Sequence, residues 1–228
     1  MSGRVEQNGD ATPAPVVFRV GDEHDAAQLV RQHHYSARPA AAAQVVGTWH
    51  QPGGLFGDRG EAVAACVFSI PPTRGSEDVL ELSRLVRAAG VPLPPLSRLI
   101  AQTVRFVRQA KRGHLLVSFA DATQGHHGGV YQAASWNYAG QRDRAMDGLI
   151  IDGHFHAGRS CNSRWGTRSP TRLRLVLPHS TIEPHYDEGK HLYWKAVSKT
   201  GAKMAERLEL RCLPYPKPAP RPVQEALI

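Results

Sequence analysis

A chain of 228 residues with 41% hydrophobic and 21% charged residues can bury a sizeable core and is too balanced to be disordered throughout. Its 28 Lys and Arg against 20 Asp and Glu leave a net charge of +8 at a pI near 9.8, a balance found in nucleic-acid binders and in generally basic soluble proteins. Three scattered cysteines, Cys66, Cys161 and Cys212, argue against a disulfide framework or a cysteine zinc site, and the polar start and the lack of a long apolar run point to a soluble cytoplasmic protein without a membrane partner.

In chain order, residues 1–14 are polar and proline-containing and are expected to be a flexible N-terminus. "APVVFRV" reads as a strand, and "DEHDAAQLVRQHHY" as a helix opened by acidic residues, with Ala27, Val30 and His34 on one stripe. "AQVVGTWHQ" and "EAVAACVFSI", joined by the glycine-rich "PGGLFGDRG", and then the alternating "DVLELSRLVRA" complete an antiparallel meander. Prolines before Ser97 make it the expected cap of a helix carrying Leu99, Ile100, Thr103, Val104 and Val107. The buried strand "HLLVSFAD" follows, so strand, crossover helix and strand give a parallel pair in a mixed sheet.

Gly128 and Gly129 are expected to open a helix over "GVYQAASWNY", with "DGLIIDGHFH", "TRLRLVLPHS" and "HLYWKAVS" as further strands. The expected fold class is therefore α+β, a mixed, mostly antiparallel sheet flanked by helices, in a single domain over 15–212. A proline-rich tail, 213–228, carries five prolines. The element order resembles that of the GNAT superfamily.

Several residue types point to chemistry. Ser118 and Asp121 end a central strand at the carboxyl edge, where open α/β sheets place ligands, so Asp121 is a candidate acid, base or metal ligand, or else a loop cap. On the expected helix, Tyr131, Ser135 and Tyr138 share one face and Gln132 and Trp136 its neighbour, either lining a pocket or filling a core. The pairs His33–His34, His126–His127 and His154/His156 combine with carboxylates into a set suited to iron(II) or zinc, without any metal motif of fixed spacing.

Arg87 and Gly90 in "RAAGVP" have the spacing of the GNAT phosphate-binding signature before a helix N-terminus, which suggests an acyl-CoA donor. Pro92 removes an amide that such a loop should keep. Two basic clusters, one from Arg84 to Arg112 and one in "RSCNSRWGTRSPTRLRL", suit DNA phosphates or simply a solvated face.

"LVSFADATQGHHGGVYQAASWNYAG" resembles the signature block of the Mom-type DNA modification proteins of Mu-like bacteriophages, with Phe119 where a tyrosine is usual. "HHYS" from His33, "ELSRL" from Glu81, "KHLYWKAV" from Lys190 and "PYPKP" around Tyr215 agree in the same order. The resemblance implies a phage-encoded enzyme, working in the cytoplasm of the bacterial host, that adds a carbamoylmethyl group to the exocyclic amine of adenine in double-stranded DNA and so protects it from restriction. It implies a GNAT-like fold, a small-molecule donor that is acyl-CoA or another group, and iron(II) as cofactor.

Carried over by position, Asp121, Tyr131, Tyr35 and Ser118 are the catalytic candidates. Arg84, Arg87, Gly90 and Ser97 are the donor-binding candidates, and His34, Tyr35 and Asp121 the metal ligands. The target amine lies inside the duplex, so base flipping is expected, with Trp136, Tyr138 and Trp165 available to stack and Arg164 and Arg168 beside them for DNA. A homodimer would suit a duplex. The competing readings are a GNAT acyltransferase acting on a protein or small amine and a non-catalytic DNA-binding protein.

Overall fold

The computed structural model describes residues 12–54, 59–71 and 78–217, and within them the side chains of all but Gln124 and Arg159. The expected flexible start up to residue 11 and the tail from 218 lie outside the described residues. The chain divides into two interleaved compact units, the first formed by the chain up to Ser118 with Gly129–Asn137 and Tyr193–Cys212, the second by Phe119–Gly128, Tyr138–Leu192 and the chain from Leu213.

In the first unit, β1 (Val17–Val20), β2 (Ala43–His50), β3 (Ala62–Ser69) and β4 (Val79–Arg87) form the antiparallel meander. β5 (Leu115–Asp121) pairs parallel to β4, with Val79 opposite Leu115 and Glu81 opposite Val117, and β10 (Lys190–Ala196) lies next to it. The parallel pair is what the crossover helix requires. α1 (Glu23–His33) packs on one face through Ala26, Leu29 and Val30 against Val46, Ala65, Val67 and Val86. Its buried stripe thus falls one position away from the expected Ala27, and His34 is the extended residue after the helix.

α2 (Leu96–Ala110) buries Leu99, Ile100, Thr103, Val104 and Val107, the expected stripe, each burial worth roughly 1.5–3 kcal/mol for the larger apolar side chains. Its cap is Pro95 rather than Ser97, because Pro95 is already extended at ψ 132 and the helix starts two residues earlier. Gly47 on β2 lets Thr103 come close, since a Cβ there would collide with the Thr103 hydroxyl. Trp49, on the same strand, donates its indole N–H to Gln102 on α2 at 2.7 Å.

α3 (Gly129–Ala133) is much shorter than the expected helix. Ser135 takes up φ +57, its N–H reaches the Gln132 carbonyl at 2.9 Å, and the Trp136 N–H reaches the Tyr131 carbonyl at 3.0 Å. That pair of bonds is a Schellman closure with serine at the left-handed position. Tyr131, Ser135 and Tyr138 therefore do not share a helix face. α6 (Lys199–Arg207), capped by Ser198, completes the first unit.

In the second unit, β6 (Asn137–Gln141) borders the start of β10, and Leu213 bridges to Tyr138. β7 (Met146–Ile151) pairs with β8 (His154–Ala157) through Asp152 and Gly153, both at positive φ as a two-residue hairpin demands, and with β9 (Ile182–Tyr186). α4 (Gly158–Trp165) and α5 (Pro170–Val176) lie on this three-stranded sheet around Leu149, Ile151, Cys161, Leu173 and Ile182. "TRLRLVLPHS" was expected as a strand, but Ser169 caps it and Pro170 opens it as a helix. Among the described residues no helix is long and apolar enough to cross a membrane.

Candidate active site

The first unit gathers one group of the expected residues. The closure after Ser135 turns Trp136 straight into the core, where it is fully buried at 6.4 Å from the Phe68 ring and 5.7 Å from Tyr131. Tyr131 in turn lies 5.2 Å from the Tyr193 ring, whose hydroxyl accepts from the Gln132 side chain at 3.0 Å. Lys195 donates to the Ala134 and Ser135 carbonyls and so holds the end of α3, and burial, then the charge of Arg108, lowers its pKa.

Tyr131 is buried and hydrogen-bonds Ser118. Ser118 is fully buried and donates to the Leu82 carbonyl at 2.9 Å. Burial pushes the Tyr131 phenol up to about 12; the Ser118 hydroxyl offsets part of that, and Cys66, Tyr35 and Glu81 reinforce it. At neutral pH this group keeps its proton. It can donate a hydrogen bond or a proton but cannot act as a base.

Tyr35 is exposed and stacks on His34 with ring centroids 4.4 Å apart. The Ser36 amide donates to His34 Nδ1 at 3.2 Å, with the Ser36 hydroxyl 3.0 Å away. That bond uses the Nδ1 lone pair and leaves the proton of the neutral ring on Nε2. Arg84 donates to the Arg38 carbonyl at 2.7 Å and the Ser83 carbonyl at 2.6 Å, beside the register shift where Val67 pairs with Arg84 and Phe68 with Leu82. It thereby ties the loop after α1 to β4.

Arg87 donates to the Val91 carbonyl at 2.9 Å, and Gly90 takes φ +76 with open space around it. Pro92, Pro94 and Pro95 supply no N–H, but the start of the 15-residue α2 has no acidic residue in its first turn. Arg87 and Arg98 are exposed and Ser97 is half-buried there, so this end is electropositive.

In the second unit, Asp121 ends β5 and accepts from the Thr123 amide at 3.1 Å, so it caps the short turn Ala122–Gln124. Its other oxygen faces Lys190 Nζ at 3.9 Å, which also lies 4.0 Å from Asp187. Tyr138 is buried with its hydroxyl 2.8 Å from His191 Nδ1. Burial, with the charge of His127, lowers the His191 pKa, so the neutral ring accepts from the phenol. Trp136, fully buried, is thus packed away from any extruded base. Trp165 is half-buried, with Arg164 over its ring at 4.9 Å, and Arg168 is exposed.

The iron(II) ligand set does not fit these surroundings. His34 has spent the lone pair of Nδ1, and Asp121 faces an ammonium. The one three-donor cluster among the described residues is Asp22, Asp25 and His50, a set the sequence reading missed because its members are 25 residues or more apart except for Asp22 and Asp25. There Asp22 already pairs with Arg59 and His50 and accepts from Thr48, while His50 Nδ1 donates to the Gly60 carbonyl at 2.8 Å. The Asp22 carboxylate and His50 Nδ1 are thus already engaged by protein groups.

The sequence matches the Mom protein family over residues 16–217. The chain belongs to the Mom protein family. Among curated proteins, none matches it. Solved structures similar to this Mom-family chain include an assigned acetyltransferase of the GNAT family from Desulfovibrio desulfuricans, at 14% identity and TM-score 0.45 over 81% of this chain and 100% of that one. An N-acetyltransferase from Staphylococcus aureus is similar at 12% identity and TM-score 0.46 over 81% and 100%. The ribosomal-protein-S18-alanine N-acetyltransferase of Escherichia coli is similar at 11% and 0.45 over 80% and 95%.

Proposed function

We propose that this protein is a phage-encoded DNA hypermodification enzyme, working in the host cytoplasm, that transfers a carbamoylmethyl group from a small-molecule donor to the exocyclic amine of adenine in duplex DNA. Membership of the Mom family over most of the chain supports this reading. The observation that carries it is the buried Tyr131 phenol on Ser118, a hydrogen-bond donor that stays protonated at working pH.

The adenine amine is a weak nucleophile, since its lone pair is drawn into the ring. It attacks the activated carbon of the donor; the new C–N bond forms as the bond to the leaving group breaks. The amine loses one proton to solvent, and the leaving group gains one, for which Tyr131 is the proposed donor. Arg87, Ser97 and Arg98 would hold a phosphate of the donor at the start of α2, and the donor, when bound, supplies the electrophilic carbon. No metal takes part in this scheme.

Plasmid DNA from cells expressing the protein should resist restriction enzymes whose sites contain adenine and remain open to those whose sites lack it. Plasmid cut equally well by both sets speaks against the reading. A second reading, acyl transfer to a protein or small-molecule amine, draws on the basic start of α2 alone, and acylated amine with unmodified DNA would favour it.

A further inference from the structure

Between Asp152 and Glu183 the chain holds no carboxylate and five arginines, Arg159, Arg164, Arg168, Arg172 and Arg174. The fold places this stretch on β8, α4, α5 and the turns around them, in the second unit. Arg164, Arg168, Arg172 and Arg174 are all exposed. Arg174 spends an N–H on the Ile182 carbonyl at 3.0 Å, whereas no neighbouring acid in the sequence offsets the rest.

α4 stops at Gly166, in the left-handed region at φ +70, and Ser169 caps α5, which starts at Pro170. Helix, short glycine-bearing turn and helix is the arrangement by which many proteins present a second helix to the DNA major groove. α5 is anchored by Leu173 in the core around Leu149 and Ile182. Helical spacing then turns Thr171, Arg172, Leu175 and Val176 outward. Leu175 is 82% exposed and Val176 55%. Large apolar side chains standing free among arginines gain nothing in water, but they match the thymine methyl groups that line a major groove between phosphates.

We infer that α4 and α5 form a helix-turn-helix grip on duplex DNA, with Arg172 and Leu175 toward the base edges and Arg164 and Arg168 on the phosphates. This rests on the reading of the protein as a DNA-modifying enzyme and adds to it the surface that selects the sequence around the target adenine. The charge alone would also suit an anionic membrane; the exposed Leu175 and Val176 on a short, capped second helix favour the duplex.

The test uses the full chain and labelled duplexes of about 20 base pairs, two helical turns, titrated at several salt concentrations. Wild-type protein should bind with a steep salt dependence. Arg164→Ala with Arg168→Ala should bind more weakly and lower the slope of log affinity against log salt by about 2, one step for each lost phosphate contact. Leu175→Ala should keep the slope and lose preference among duplexes of different sequence. All three side chains are exposed, and circular dichroism with an unchanged melting midpoint verifies folding.

A folded double variant with wild-type affinity and slope overturns the inference, as does wild-type protein that binds phosphatidylserine vesicles but not duplex. The two claims fail separately. Duplex binding through these arginines without modified adenine sinks only the enzymatic reading, and modified adenine with binding indifferent to them sinks only the grip.

Discussion

Ser118 donates to the Leu82 carbonyl on the neighbouring strand at 2.9 Å, and the buried Tyr131 phenol lies against Ser118. Tyr131→Phe removes the donor while leaving the ring packed against Trp136 and Tyr193, so the fold should persist and adenine modification should fall by roughly 10²-fold or more. Counting modified nucleosides against the melting midpoint separates the two effects; a fully active variant would remove Tyr131 from the chemistry.

Ser118→Ala acts differently. It leaves the Tyr131 hydroxyl and the Leu82 carbonyl without their shared partner in a buried strand, a cost of about 1–3 kcal/mol. Denaturant unfolding should register a lower midpoint for Ser118→Ala than for Tyr131→Phe, and the reverse order would contradict that role of Ser118.

Stability should decline in alkali. Burial raises Cys66 from its ordinary value of 9.0 to about 12 and Tyr131 from 10.0 to about 12. The unfolded chain loses these protons first, so the stability they contribute is complete below about pH 9 and is lost as pH rises through 12. Urea unfolding between pH 8 and pH 11 should show this fall, reduced by about one proton in Cys66→Ala. A flat profile over that range would mean these groups are not shielded.

Ser135 sits at φ +57 in the closure that aims Trp136 inward. Ser135→Gly should be neutral or stabilise by up to about 1 kcal/mol, and Ser135→Val should destabilise by about 1–3 kcal/mol, because a β-branched residue resists that conformation. Thermal midpoints of the two variants test it, and equal midpoints would mean the turn is not held in this form.

The meander and the crossover were legible because their signals are local and periodic: "EAVAACVFSI" and the stripe from Leu99 to Val107 each read the same alone as in the fold. The region after Asp121 was not. Nothing in "GVYQAASWNY" announces that the helix ends at Ala133, since the left-handed residue is Ser135 rather than a glycine and part of its support comes from Lys195, 60 residues away. "TRLRLVLPHS" alternates like a strand, and its cap, Ser169, lies outside that run.

The candidate site was legible in residue type more than in placement. Tyr131 and Ser118 fall together as a pair. Trp136 and Tyr138 carry the aromatic character expected of base-stacking groups, yet backbone turns specified elsewhere bury them. The Asp22–His50 cluster left no trace in spacing, because the start of α1 brings Asp22 and Asp25 to His50 at the end of β2.

The measurement that bears most directly on the proposed function is mass spectrometry of nucleosides from the DNA of cells expressing the wild-type protein or Tyr131→Phe. The expected result is a deoxyadenosine heavier by a carbamoylmethyl group with the wild type and almost absent with the variant. Unmodified deoxyadenosine from cells holding folded wild-type protein would contradict the account.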